Sequence, residues 1–141
     1  MIDLTKKYEG LSLKPYRCPA GYPTIGYGIR FYPDGREVKM SDPQITIERA
    51  EALLRDYVMR NIIPKIESLN PTASQTEALV SLIYNIGWNS FARSKCYKAL
   101  KNHNWGEAFK EWNWITANGK VMKGLIKRRA EEIYLYFKDI K

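Results

Sequence analysis

The spacing of apolar residues changes near residue 46 and divides the chain into two parts. From there on, apolar positions recur every three or four residues, which is the period of an amphipathic helix. Residues 46–63 show this spacing behind the capping residue Thr46 and predict a long helix. Thr72 and Gln75 match a capping box at the start of a nearly all-apolar segment that stops at Gly87, which predicts a buried central helix.

Three further helices are predicted toward the C-terminus. Residues 94–101 and 104–114 have helical spacing, and Asn104 is placed to cap the second of them. Spacings of four and three then continue to the end of the chain, at Ile126, Ala130, Ile133, Phe137 and Ile140. After residue 46 the pattern therefore predicts helices only.

The first 45 residues have a different character. Asp3 is placed to cap a short helix that reaches Glu9 or Gly10. Residues 11–40 are punctuated by proline and glycine, including the turn signal Pro33-Asp-Gly35, which predicts a small antiparallel sheet of three short strands. A sheet followed by a helical body is typical of an α+β fold.

The expected architecture is a single domain over residues 1–141 with two lobes. The small N-terminal lobe covers residues 11–45 and holds the three-stranded antiparallel sheet, and the connecting helix covers 46–63. The helical lobe combines residues 1–10 with 65–141. We expect a monomer with a ligand cleft between the lobes, since clefts at such junctions often bind ligands.

Composition narrows the range of partners. The 23 Lys and Arg residues against 15 Asp and Glu give a net charge of +8, which draws in polyanions. No nucleic-acid-binding motif accompanies this charge, so we expect no nucleic acid partner. No window approaches the roughly 18 apolar residues of a membrane span, so no stable membrane insertion is expected. The N-terminal residues also lack the apolar core of a signal peptide.

Few residues are candidates for a disulfide or a metal site. Cys18 and Cys96 are expected to be free thiols, because two cysteines in a core-forming chain do not make a disulfide scaffold. The single histidine, His103, lies in a polar turn without a second His or Cys nearby, which argues against a metal site. We expect no metal and no cofactor.

The most informative motif is Glu9, eight residues, Cys18, five residues, then Thr24 before Ile-Gly-Tyr-Gly. It resembles the motif of phage-type lysozymes, the endolysins of glycoside hydrolase family 24 related to those of lambdoid and T-even phages. In that family the middle position is commonly Asp. The resemblance continues along the chain, at residues 45–56, 75–87 and 123–132.

The resemblance implies a lysozyme-like fold and a muramidase that hydrolyses the β-1,4 bond between N-acetylmuramic acid and N-acetylglucosamine in peptidoglycan, which lyses the cell wall. Glu9 takes the role of general acid, which requires burial or a like charge to raise the pKa of its carboxyl. Thr24 would position the attacking water. The family also implies retention in the host bacterial cytoplasm until a holin releases the enzyme to the wall.

Cys18 departs from the common family pattern, because a free thiol is only slightly ionised at neutral pH. Lys14 and Arg17 favour the thiolate and a nearby Glu9 carboxylate opposes it, so the sequence leaves the direction of the shift open. Three roles for Cys18 stay open: a nucleophile, a base assisting water with Thr24, or a bystander in a weakened enzyme.

Three more residues are candidates for substrate binding. Tyr84 and Asn85 occupy positions that face the cleft in the family, although an aromatic residue on an apolar helix is often part of the core. Arg129 could bind a muramyl carboxylate or a structural carboxylate partner, because a bidentate fork serves both.

Two other functions compete with hydrolysis. A lytic transglycosylase needs only one catalytic Glu and closes an anhydro ring on the sugar. Because Cys18 stands where the family commonly has Asp, this alternative stays open. The other alternative is a catalytically weakened peptidoglycan-binding protein that kept the fold.

Overall fold

The computed structural model describes residues 1–141 and forms two compact units. Residues 2–61 form the first, which we call the hairpin unit, and Met1 with residues 62–141 forms the second, the helical unit. The short first helix therefore belongs to the same unit as the strands, whereas the sequence pattern grouped residues 1–10 with the helical lobe.

The hairpin unit contains two helices and two strands. They are α1 (Asp3–Tyr8), β1 (Ser12–Arg17), β2 (Pro23–Gly26) and α2 (Ile47–Asn61), the long helix expected from the sequence. The N-cap of α1 is Ile2 and makes no side-chain cap, so Asp3 lies in the first turn and is not the predicted cap. Its carboxylate still suits the positive end of the helix dipole.

The predicted three-stranded sheet is wrong. β1 and β2 form a two-stranded antiparallel sheet, and the following segment adds only isolated bridges, Ile25 to Ile29 and Phe31 to Glu37. The chain turns back directly after β2, where Gly26 and Gly28 have φ values of 67° and 99°.

A small apolar core holds the hairpin unit together. Buried Ile25, Ile29, Val38 and Leu53 pack against one another. Ile29 takes the position where many family members have His, and here it serves this core. The turn at Gly26 also brings its backbone against α2, where a Cβ would lie 3.5 Å from the Cβ of Ala50. The positive φ at this position, rather than the packing, favours glycine, since a Cβ would make only an ordinary van der Waals contact with Ala50.

The helical unit consists of six helices, a 3-10 turn and a small hairpin. They are α3 (Ile63–Ile66), the 3-10 turn (Glu67–Leu69), α4 (Ala73–Ile86), α5 (Trp88–Ala92), α6 (Lys95–Lys101), α7 (Trp105–Glu111), β3 (Thr116–Ala117), β4 (Lys120–Val121) and α8 (Lys123–Phe137). The capping box predicted at Thr72 and Gln75 is present at the start of α4. None of the helices in the structure has both the length and the apolar character for a membrane crossing.

The expectation of helices only after residue 46 is also wrong. β3 and β4 form a hairpin in which Ala117 pairs with Lys120. Asn118 and Gly119 form its two-residue turn, both with positive φ, at 53° and 77°. Asn-Gly is the preferred pair for such a turn, because both residues tolerate the left-handed conformation.

A buried carboxylate joins the elements of the helical unit. Glu132 of α8 is fully buried and accepts hydrogen bonds from the Ser81 hydroxyl of α4 at 2.6 Å and from the Trp112 indole at 3.1 Å. Arg129 lies 2.7 Å from the same carboxylate, and Arg128 donates to Ser81. Buried charges are tolerated only when they are paired in this way.

We expect the substitution Glu132→Gln to lower the free energy of unfolding by about 3 kcal/mol, because two buried guanidinium groups lose their counter-charge. Denaturant unfolding followed by circular dichroism measures this. Asp139→Asn removes the same charge from an exposed position and serves as the control. Equal stability of the two variants would contradict the importance of the buried pair.

Candidate active site

Helix α1 fixes the position of Glu9. Ile2 and Thr5 anchor the helix in the interior, and the Lys6 ammonium forms a 2.9 Å salt bridge with Glu51 of α2. Glu9 is the C-cap, where its N–H donates to the Thr5 carbonyl and the backbone becomes extended. The Glu9 side chain is half-buried at this helix end.

The turn between β1 and β2 fixes the position of Cys18. The N–H of Gly21 donates to the Cys18 carbonyl at 2.8 Å, and the N–H of Cys18 donates to the Tyr22 carbonyl at 3.0 Å. Pro19 occupies the second position of this turn, and Gly21 has a φ of 90°. The local sequence suits this turn, since proline fixes a negative φ at the second position and glycine allows the positive φ at residue 21.

The same turn stabilises the thiolate form of Cys18. Burial raises the pKa of the thiol, but hydrogen bonds to the sulfur outweigh this effect and hold the pKa below its usual value. The donors are the backbone N–H groups of Tyr22, Ala20 and Gly21 together with the Thr24 side chain. Successive N–H groups of a turn form a concave anion site, which here receives the sulfur.

Thr24 links the sulfur to the backbone. Its buried hydroxyl donates to the Tyr22 carbonyl at 2.9 Å, and the Thr24 side chain is among the groups that lower the pKa of Cys18. A hydroxyl carries one proton, so it donates either to the carbonyl or to the thiolate. The ionisation of Cys18 and the orientation of the Thr24 hydroxyl are therefore coupled.

Tyr16 is a site residue that the sequence reasoning missed. Burial raises the pKa of its phenol first, and the charges of Cys18 and Glu9 raise it further, so both groups lie near this ring. Tyr16 also pairs with Thr24 across the hairpin. The sequence did carry a signal for Tyr16. Residues 16 and 18 are two positions apart, so in an extended strand they would point to the same face.

The glycines after Thr24 have a structural reason in this fold. Glycine in a strand can admit a ligand or ease a bend, and Gly26 and Gly28 follow Thr24 closely along the chain. Both have positive φ at the turn that returns Ile29 to Ile25. This observation accounts for them without a ligand.

The three candidate substrate-binding residues lie in the helical unit. Tyr84 and Asn85 occupy the last turn of α4, with Tyr84 half-buried and Asn85 exposed. Arg129 is 2% exposed, and its guanidinium contacts Glu132 and the Trp114 carbonyl. Of the two partners considered for Arg129, the geometry favours the structural carboxylate.

Cys96 contrasts with Cys18. Its side chain is fully buried in α6 beside the Ala108 carbonyl, and burial raises the pKa of its thiol to about 12, with a further contribution from Glu111. This thiol stays protonated and acts as a small apolar side chain.

Comparisons with known proteins identify the family of this chain. The family model described as phage lysozyme matches residues 6–132. The endolysin of Bacillus phage B103 is 37% identical over 96% of the chain, which spans about half (51%) of that relative's length.

Two solved structures are similar over nearly their whole length. The endolysin from Escherichia coli O157:H7 phage FAHEc1 has a TM-score of 0.79 and 33% identity, covering 99% of this chain and 91% of that one. The muramidase domain of SpmX from Asticaccaulis excentricus has a TM-score of 0.74 and 34% identity, covering 96% and 92%.

The fold and these matches define the class of lysozyme-like proteins. Within this class the chain belongs to the phage lysozyme family.

The two thiols should differ sharply in reactivity. We expect iodoacetamide to alkylate Cys18 in the native protein with a pH midpoint below that of the same peptide in urea, because its pKa is lowered, while Cys96 reacts only after unfolding. Peptide mapping by mass spectrometry separates the two sites.

Thr24→Val should raise the pH midpoint of Cys18 alkylation, since the thiolate loses a hydrogen-bond donor. Thr116→Val in the β3–β4 hairpin is the matched control and should leave it unchanged. A native midpoint at or above that in urea would contradict stabilisation of the thiolate by the turn.

Proposed function

We propose that the protein is a muramidase that hydrolyses the β-1,4 bond between N-acetylmuramic acid and N-acetylglucosamine in peptidoglycan. One observation carries this proposal: Thr24 pairs with Tyr16 across the hairpin whose turn holds Cys18, and after burial the charges of Cys18 and Glu9 raise the pKa of the Tyr16 phenol. Similarity to the SpmX muramidase domain supports the choice of bond.

Glu9 is the general acid in this mechanism. It protonates the glycosidic oxygen as the bond to the leaving sugar breaks, which leaves oxocarbenium character on the other sugar. The salt bridge between Lys6 and Glu51 holds α1 against α2. Because Glu9 lies at the end of α1, its backbone is held in place as well.

Cys18 and Thr24 act together on the attacking water. The thiolate accepts a proton from the water, and the Thr24 hydroxyl, anchored at the Tyr22 carbonyl, orients it. We favour this role over direct attack by sulfur, because the Thr24 hydroxyl donates to the Tyr22 carbonyl and can accept a hydrogen bond from the water. The positive charge of the protein brings it to the anionic wall.

Glu9→Gln should reduce turnover on purified sacculi about 10²- to 10⁴-fold, because the acid proton is lost while the shape is kept. Glu48→Gln, at an exposed position of α2, is the matched control and should stay fully active. Mass spectrometry of the wild-type digest should show hydrated reducing ends. Anhydro-muramyl ends would instead identify a lytic transglycosylase.

Cys18→Asp should retain or raise activity, since an ionised carboxylate can occupy the same turn, and Cys18→Ala should lower activity about a hundredfold. Cys96→Ala controls for the loss of a thiol elsewhere. Full activity of Cys18→Ala would exclude a chemical role for this residue.

Activation of water by Cys18 and Thr24 predicts inversion at the anomeric carbon. NMR of the first product, recorded before mutarotation, should therefore show the α-anomer. A β-anomer would identify covalent attack by the sulfur and overturn the assignment of Cys18 as a base.

Release to the wall is a further part of the proposal. We propose that the enzyme acts as a monomer, stays in the host cytoplasm until lysis and reaches its substrate through a holin. Co-expression in a bacterium with and without a holin tests this directly, and lysis without a holin would contradict it.

A further inference from the structure

An unpaired group of cations lies along α6 in the helical unit. The stretch from residue 78 to 106 contains no Asp or Glu, but it contains Arg93, Lys95, Lys98 and Lys101. All four residues are exposed, and none of them forms a salt bridge. The three lysines follow one another at every third position, so successive members lie on the same side of the helix. They form a cationic surface without a counter-charge of its own.

The stability of the helix itself accounts for only part of this charge. Lys98 and Lys101 lie in the last turn of α6, where positive charge suits the helix dipole. Lys95 is the first residue of the helix and Arg93 precedes the N-cap Ser94, so these two cations lie at the positive end of the dipole. Like charges on neighbouring positions of a helix also repel one another. An anionic partner would offset both costs.

Two aromatic rings lie beside these cations. Trp88 of α5 and Tyr97 of α6 pack edge to face, with ring centroids 5.5 Å apart and planes at 68°. The Lys101 ammonium lies 4.5 Å from the centre of the Tyr97 ring, and the Lys65 ammonium lies 5.6 Å from that of Trp88. Both rings are half-buried, and neither the indole N–H nor the phenol hydroxyl makes a hydrogen bond within the protein. We call the two rings, Lys65 and the four cations along α6 the α6 face.

Few carboxylates oppose the cations of the α6 face. Helix α7, which packs against α6, contributes Glu107 and Glu111, and Glu67 follows Lys65 in the 3-10 turn. None of these three carboxylates forms a salt bridge. The charge of Glu111 acts on the buried thiol of Cys96. An anionic surface that approaches the α6 face therefore meets an excess of positive charge.

We propose that the α6 face docks the protein onto anionic phospholipid membranes. Its cations meet the lipid phosphates, and Trp88 and Tyr97 lie among the headgroups, since these two residue types favour places where one end of the ring is apolar and the other is wet. A soluble polyanion would satisfy the cations but would leave the two rings without a role, which is why we favour a lipid surface. The contact is peripheral and uses none of the residues assigned to the chemistry at Glu9.

Cosedimentation with sucrose-loaded vesicles tests the docking surface. We expect the wild-type protein to bind vesicles made of phosphatidylglycerol and phosphatidylcholine in equal amounts, and to bind pure phosphatidylcholine far more weakly. Added salt should release it, because salt screens exposed charges. The double variant Lys98→Gln/Lys101→Gln should bind the mixed vesicles about 25-fold more weakly, since each basic residue near an anionic membrane contributes about a factor of five. Equal binding of the wild-type protein to both kinds of vesicle would overturn the proposal.

The double variant Arg49→Gln/Arg55→Gln is the matched control. Both arginines are exposed on α2 in the hairpin unit, and neither forms a salt bridge. This variant therefore has the same net charge as the double lysine variant, and it should bind the mixed vesicles as the wild-type protein does. Equal weakening in the two variants would show a response to net charge alone and would contradict a dedicated face.

Brominated lipids test the place of the aromatic rings, because bromine quenches tryptophan fluorescence only at short range. We expect vesicles containing these lipids to quench the wild-type protein, and the quenching to be largely lost in Trp88→Phe. Trp114→Phe removes another half-buried tryptophan of the helical unit and should leave the quenching in place. Binding without quenching of Trp88 would contradict contact between the rings and the headgroups. Tighter binding to soluble poly(glycerol phosphate) than to vesicles would identify a phosphate polymer as the partner and would also overturn the proposal.

Neither measurement depends on turnover, so the docking surface and the muramidase activity can fail separately. A protein that cleaves purified sacculi, which contain no lipid, but ignores anionic vesicles would contradict the docking surface alone. A protein that binds these vesicles through the α6 face but never cleaves sacculi would contradict the muramidase assignment instead.

Discussion

The carboxylate of Glu132 is the point on which the helical unit depends. It accepts hydrogen bonds from Ser81 of α4 and from Trp112, and it balances the charges of Arg128 and Arg129. These groups come from distant parts of the sequence and are all nearly inaccessible to solvent. A buried ion pair need not exceed an apolar core in stability, but removal of one partner leaves an unpaired charge, so the packing of α4 against α8 is tied to one carboxylate.

The hairpin unit depends on a smaller constraint, the turn from Cys18 to Tyr22. The backbone hydrogen bonds of this turn reverse the chain. The same turn presents the N–H groups that lower the pKa of the Cys18 thiol. An Asp at the first position of such a turn would accept the same N–H groups. The turn that lowers the pKa of the Cys18 thiol would therefore also stabilise a carboxylate at the same position.

The sequence by itself determined the elements whose cause is local. The capping box at Thr72, the long helix after Thr46 and the turn residues Pro19 and Gly21 could all be recognised within a few positions of the chain. The Asn118-Gly119 hairpin carried an equally local signal, which the emphasis on helical spacing overlooked.

Only the tertiary structure decided which distant groups meet. It brought the charges of Cys18 and Glu9 to Tyr16, paired Arg129 with Glu132, and packed the Gly26 turn against Ala50. Periodicity gives the face on which a side chain lies, but burial and the choice of ion-pair partner depend on contacts between segments that are far apart in the chain.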